Sequence, residues 1–258
     1  MATKAQRRKI FFDSHPFCCF CGGNVKATTI DHIPSRQLFA LKHRPAGLEF
    51  PACDNCNQGS KGHEQVAALL ARIFPDSTTE AENQELKKIL KAVNKNRPGL
   101  LEEMIPTQRQ KGLYKNHKNQ VSGIAGVLNA SGPLLNESIN IFAAKMGFAL
   151  HYHITEKIVP NTGGVSVQVY TNHDAFTNKI PAELFSVIGE PKTLKMGKWD
   201  VEEQFTYSYG HTHDAAMAAY FCTFRLSFAF TAWVCMDVSK FPEKIKIYKP
   251  GFLNTCHA

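Results

Sequence analysis

The sequence predicts an α+β protein with a small zinc-stabilised module first, helices after it, and a C-terminal α+β domain whose sheet is mainly antiparallel. Three observations predict this. Two Cys-x-x-Cys pairs, Cys18/Cys21 and Cys53/Cys56, lie close together near the start. Apolar residues then recur at helical spacing in two segments, and past residue 133 an all-round apolar helix precedes runs that alternate apolar and polar. With 258 residues, 43% of them hydrophobic, the chain can bury a proper core. The expected division is 1–75 for the zinc module, 76–132 for a helix and basic linker, and 133–258 for the α+β domain.

Residues 1–12 carry Lys4, Arg7, Arg8 and Lys9 ahead of Ile10, Phe11 and Phe12, an apolar run too short for a secretory signal. They read equally as a basic arm on nucleic acid or an amphipathic lead-in. The two cysteine pairs follow. Each brings two thiolates to one ion, and four close a tetrahedral Zn²⁺ site with bonds of about 2.3 Å. A site closed by four protein ligands has no open position, so this zinc is expected to hold the fold rather than react. Cys19 lies inside the first pair, but the spacing favours Cys18 and Cys21. Gly22 and Gly23 come next, where a turn with positive φ is expected.

Between the pairs stands Thr29-Ile30-Asp31-His32-Ile33-Pro34, and Cys56-Asn57-Gln58-Gly59-Ser60-Lys61 closes the stretch. Over this quarter of the chain the sequence resembles the HNH endonuclease superfamily. That resemblance implies a ββα-metal module with Asp31-His32 on a strand and Asn57 on a helix. It also implies that His32 is the general base and that Asp31 and Asn57 hold one Mg²⁺ or Mn²⁺ against the scissile phosphate. Leu48 stands five residues before Cys53, where the family commonly has an Asn that steadies the loop carrying the base.

The chemistry can be argued without the family. Phosphodiester hydrolysis needs an activated water, a Lewis acid and cationic help, because the attacked group is already anionic. Histidine, mostly neutral at physiological pH, suits the base role. Oxygen ligands such as Asp31 and Asn57 favour a hard divalent ion. Lys61 and Arg36 are the expected nucleic-acid contacts, with DNA favoured as partner. Two rivals stand beside this. One is a non-catalytic zinc-knuckle nucleic-acid-binding protein in which Asp31, His32 and Asn57 are structural. The other is a structural zinc module whose C-terminal domain makes the important contacts, through a homo-oligomer or a protein partner.

Val66, Leu69, Leu70, Ile73 and Phe74 predict a helix with Ser60 as cap and Pro75 beyond its end; His63 and Glu64 fall in its first turn, close enough to Lys61 to reach the site, though such residues are more often ordinary first-turn polar groups and are left out of the site assignment. Leu86, Ile89, Leu90 and Val93 predict a second helix from about Thr79 to Asn96, acidic early and basic late as the helix dipole favours, and stopped by Arg97-Pro98-Gly99. From Pro98 to Pro133 a loop is expected, with Arg109, Lys111, Lys115 and Lys118 interleaved with Tyr114 and His117. Leu135, Ile139, Phe142, Met146 and Ala149 predict a buried helix. Strands are expected around Val165–Val169, Phe205–Tyr209 and Tyr220–Phe228, and His211-Thr212-His213-Asp214 reads as a polar turn rather than a metal site.

Charge sharpens the assignment. Residues 1–120 hold 19 Lys and Arg against 11 Asp and Glu, while residues 121–258 hold 11 against 11, so the whole +8 excess lies beside the candidate site. No apolar run approaches a membrane span; 226–236 is the longest. A cytoplasmic protein with Cys19, Cys222, Cys235 and Cys256 as reduced thiols is expected. There is no P-loop, dinucleotide glycine motif or nucleophile elbow.

Overall fold

Thr3 opens the first helix, α1 (Lys4–Ser14), through a reciprocal capping box with Gln6, and none of the helix is buried. The computed structural model describes residues 3–73, 79–108, 111–115 and 120–255. Phe74, Pro75, Arg109, His117, Lys118 and Cys256 lie outside these, as do the side chains of Tyr114 and Lys115. Gly22 and Gly23 turn the chain at φ of 66° and 79°, as their place after the first cysteine pair requires.

Strands β1 (Thr29–His32) and β2 (Glu49–Ala52) form an antiparallel hairpin with Thr29 opposite Ala52 and His32 opposite Glu49. Cys53 then caps a short helix, α2 (Asp54–Gly59), which packs on β1. Helix α3 (Lys61–Arg72) follows at once, and α4 (Glu80–Asn96) begins at a Thr79/Glu82 capping box where a helix from about Thr79 was expected. Gly99, at φ 84°, turns the chain into α5 (Leu100–Glu103).

A hairpin of β3 (Lys111–Lys115) and β4 (Val121–Gly126) stands where a loop was expected. Leu113, Val121 and Ile124 are 61%, 58% and 68% exposed. None of the ribbon's described side chains is buried, so burial leaves no apolar–polar alternation to mark these strands.

Helix α6 (Pro133–Thr155) is the centre of the second half. After it come β5 (Gly164–Thr171), α7 (Asn172–Phe176), α8 (Leu184–Val187), a small hairpin of β6 (Lys195–Met196) and β7 (Trp199–Asp200), then β8 (Thr206–His211), β9 (Met217–Phe224) and β10 (Phe228–Cys235). The four long strands make one antiparallel sheet in the order β5-β10-β9-β8. The run from Tyr220 to Phe228, expected as one strand, is broken by a tight turn in which Arg225 adopts φ 52°. His211 ends β8, and the expected polar turn follows from Thr212, whose Oγ1 donates to Asp214 Oδ1 at 2.7 Å.

α6 packs on β5, β9 and β10 on one side and on α3 on the other. Residues 141–151 of this helix are all buried, which is what two covered sides demand. Phe142 and Phe148, with almost no exposure, each add roughly 2–3 kcal/mol of transfer free energy. One buried core thus runs from Cys18 and Phe20 through α3 and α6 to Phe230 and Leu253. No helix among the described residues is long and apolar enough to cross a membrane.

Candidate metal centre and nuclease site

The thiols of Cys18, Cys21, Cys53 and Cys56 lie within 4.8 Å of one another and are all buried. A tetrahedral zinc with bonds near 2.3 Å needs sulfurs about 3.8 Å apart. Cys21 Sγ is 3.8 Å from Cys53 Sγ and 3.3 Å from Cys56 Sγ. Hydrogen bonds from Cys21 and Cys56 push the Cys18 thiol down, while the hydrogen bond to Cys18 pushes Cys21 and Cys56 up. A metal such as zinc fits this buried donor set of four sulfurs. Cys19 is buried but outside the cluster. Among the described residues no other group of three or more His, Cys, Asp or Glu side chains is placed to hold an ion, and Cys19, Cys222 and Cys235 are free thiols.

The hairpin sets Asp31 and His32 on opposite faces because strand residues alternate. Asp31 is 5% exposed and points inward; His32 points out. Burial and the Arg44 charge hold His32 below the ordinary histidine value, against a smaller upward pull from Glu49 and Asp31. This favours the neutral imidazole. His32 Nδ1 stands 3.8 Å from Glu49 Oε1, its partner across the hairpin, so Nε2 is the nitrogen left for a water. Asn57 sits on α2, half-buried, directly after the last cysteine. Arg36 and Lys61 are exposed, and Arg36 is near enough to lower His32 further.

Leu48 holds φ 51° and is buried. The loop it belongs to is held by Arg44 instead of an Asn. Arg44 Nε donates to Pro34 O at 2.6 Å, Nη1 to Pro45 O at 3.1 Å, and Nη2 to Gly47 O at 2.6 Å and Leu48 O at 3.2 Å. A guanidinium with five donors can tie both ends of one loop in this way.

Asp31 meets a cation from the far half of the chain. Lys145, on α6 and fully buried, places Nζ 2.6 Å from Asp31 Oδ2 and 2.8 Å from Glu64 Oε1, and donates to Ser60 Oγ at 2.5 Å. Ser60 precedes α3 but makes no cap bond; its hydroxyl donates to Glu64 at 2.7 Å. Burial lifts Asp31 above the usual carboxylate value even with Lys145 beside it. Burial would lower Lys145, but Glu64 and Asp31 outweigh it and hold it above an ordinary lysine. Sequence reasoning missed both Lys145 and the role of Glu64. The signal was a single lysine inside the apolar run of α6, a position where an unpaired charge is untenable.

Asp31 Oδ2 is engaged by the Lys145 ammonium at 2.6 Å, and no other hydrogen bond to that oxygen is made among the described residues. Two carboxylates, Asp31 and Glu64, face this one ammonium. The other carboxylate oxygen of Asp31 and the carboxamide of Asn57, on the helix that packs on β1, are the oxygen donors that a hard divalent ion would use. No family model matches the chain, and neither does any curated protein or solved structure.

Proposed function

We propose that the chain is a metal-dependent HNH-type endonuclease hydrolysing phosphodiester bonds in nucleic acid, with DNA favoured. One observation carries this reading. A two-stranded hairpin bearing Asp31-His32 leads straight into a helix bearing Asn57 that packs on it, and buried thiols bracket the unit. The residue roles follow from placement. His32, neutral and outward, takes the proton from a water at Nε2 as that water attacks phosphorus, and Glu49 steadies the imidazolium that forms. Asp31 and Asn57 would hold Mg²⁺ or Mn²⁺, which when bound supplies Lewis-acid stabilisation of the phosphate and leaving oxygen. Arg36 and Lys61 draw in the phosphate backbone, consistent with the basic excess of residues 1–120. Zinc on the four cysteines keeps the hairpin and α2 in register.

A second reading, a zinc-knuckle protein that binds nucleic acid without cutting it, is favoured by the Lys145 charge already set against Asp31. His32→Ala separates the two. Under the nuclease reading it loses at least about a hundredfold in cleavage, the low end for a general base, with binding and melting temperature unchanged. If the variant cuts as well as wild type, or if wild type binds nucleic acid and cuts none with any divalent ion, the binding reading replaces it.

A further inference from the structure

Lys145 is a buried cation that the proposed cleavage chemistry does not use. An ammonium has three protons, and three oxygens surround this one: Ser60 Oγ, Asp31 Oδ2 and Glu64 Oε1 at 2.5, 2.6 and 2.8 Å. The Phe20 ring closes another side, its centroid 5.4 Å from Nζ. With 0% exposure, the ammonium cannot swing out to solvent without dragging charge through the core. A carboxylate gripped at Oδ2 keeps one oxygen for a further cation.

We propose that Lys145 is a positioning residue for the Asp31–Asn57 site, fixing the Asp31 carboxylate, restricting it to single-oxygen ligation and, by its own charge, keeping the divalent ion weakly held. This rests on the nuclease reading. Glu64 serves the same end from the other side, since it shares the ammonium and so sets how tightly Lys145 grips Asp31. The second half of the chain is then part of the site, through one side chain of α6.

The test is Mn²⁺ titration of the full-length, zinc-loaded protein followed by electron paramagnetic resonance, with melting temperature in parallel. Wild type binds Mn²⁺ weakly, and Asp31→Asn abolishes that binding. Lys145→Met frees both Asp31 oxygens and removes a repelling charge. It therefore melts at lower temperature yet binds Mn²⁺ at least about tenfold more tightly, a modest share of the repulsion expected between charges a few ångströms apart. A merely structural lysine would lower affinity and stability together. Unchanged or weaker Mn²⁺ binding in folded Lys145→Met overturns the proposal. If that variant does not fold, Glu64→Gln decides: it leaves Lys145 to Asp31 alone and weakens Mn²⁺ several-fold, whereas unchanged affinity overturns the proposal. Wild-type binding indifferent to Asp31→Asn would instead remove the metal site of the nuclease reading itself, and that arm does not involve Lys145.

Discussion

Arg44 holds the loop between β1 and β2 by donating to the carbonyls of Pro34, Pro45, Gly47 and Leu48. Hydrogen bonds from a charged donor contribute about 1.5–3 kcal/mol each in favourable settings, and carbonyls stranded in a half-buried loop add to the loss. Arg44→Ala should therefore cost about 2–4 kcal/mol in urea unfolding, and a loss under about 0.5 kcal/mol would mean that water replaces the guanidinium. Glu49 makes a different prediction. It raises the His32 value against the lowering by burial and Arg44. Under the proposed nuclease reading the base works only when neutral, so cleavage should rise with pH through the His32 value and then level off. Glu49→Gln removes the upward pull, and the acid limb of the pH–rate profile should move to lower pH. A limb that stays still or moves up would show that Glu49 does not feel the imidazolium. These two residues were hidden for different reasons. Leu48 was visible as a departure from a pattern, whereas an arginine that ties backbone carbonyls leaves no mark on periodicity.

At the level of elements, α6 meets the sheet at Gly147 with no room for a side chain. A Cβ there would lie 2.8 Å from Val165 Cγ1 and 2.9 Å from Ala232 Cβ. Alanine usually gains up to about 1 kcal/mol over glycine inside a helix. Overpacking against a strand costs about 1–3 kcal/mol, so Gly147→Ala should be net destabilising. A rise in melting temperature would show that the helix can back away. Elements whose pattern reports burial were legible: α4, with its cap and charge order, and α6, with its all-round apolar surface. The β3–β4 ribbon was not, because none of its described side chains is buried. The β9–β10 turn was not, because Arg225 takes a left-handed conformation that its residue type does not advertise. Ser60 fitted the place of a cap, and only packing against α6 reveals that its hydroxyl is engaged by Glu64 and Lys145.

Across the whole molecule, the cysteine cluster and the four-stranded sheet share one buried core. Both tryptophans, Trp199 and Trp233, lie in the second half, so they report on the part farthest in sequence from the metal. Zinc release and tryptophan fluorescence should therefore change at the same urea concentration, as a single cooperative unit requires. Separate midpoints would show that the halves melt independently. The Asp31–His32–Asn57 trio could be named from a short stretch because its parts are neighbours in sequence. Lys145 could not, because its meaning lies in a contact made 85 residues away from Ser60. That separation also has a meaning in time. A ribosome adding about 5–20 residues per second delivers Lys145 on the order of ten seconds after Ser60. Until then Asp31 on the hairpin and Glu64 on α3 stand without their counter-charge and without the helix that covers them. A nascent chain thus passes through synthesis with the site unassembled, and a chain cut short before α6 never assembles it.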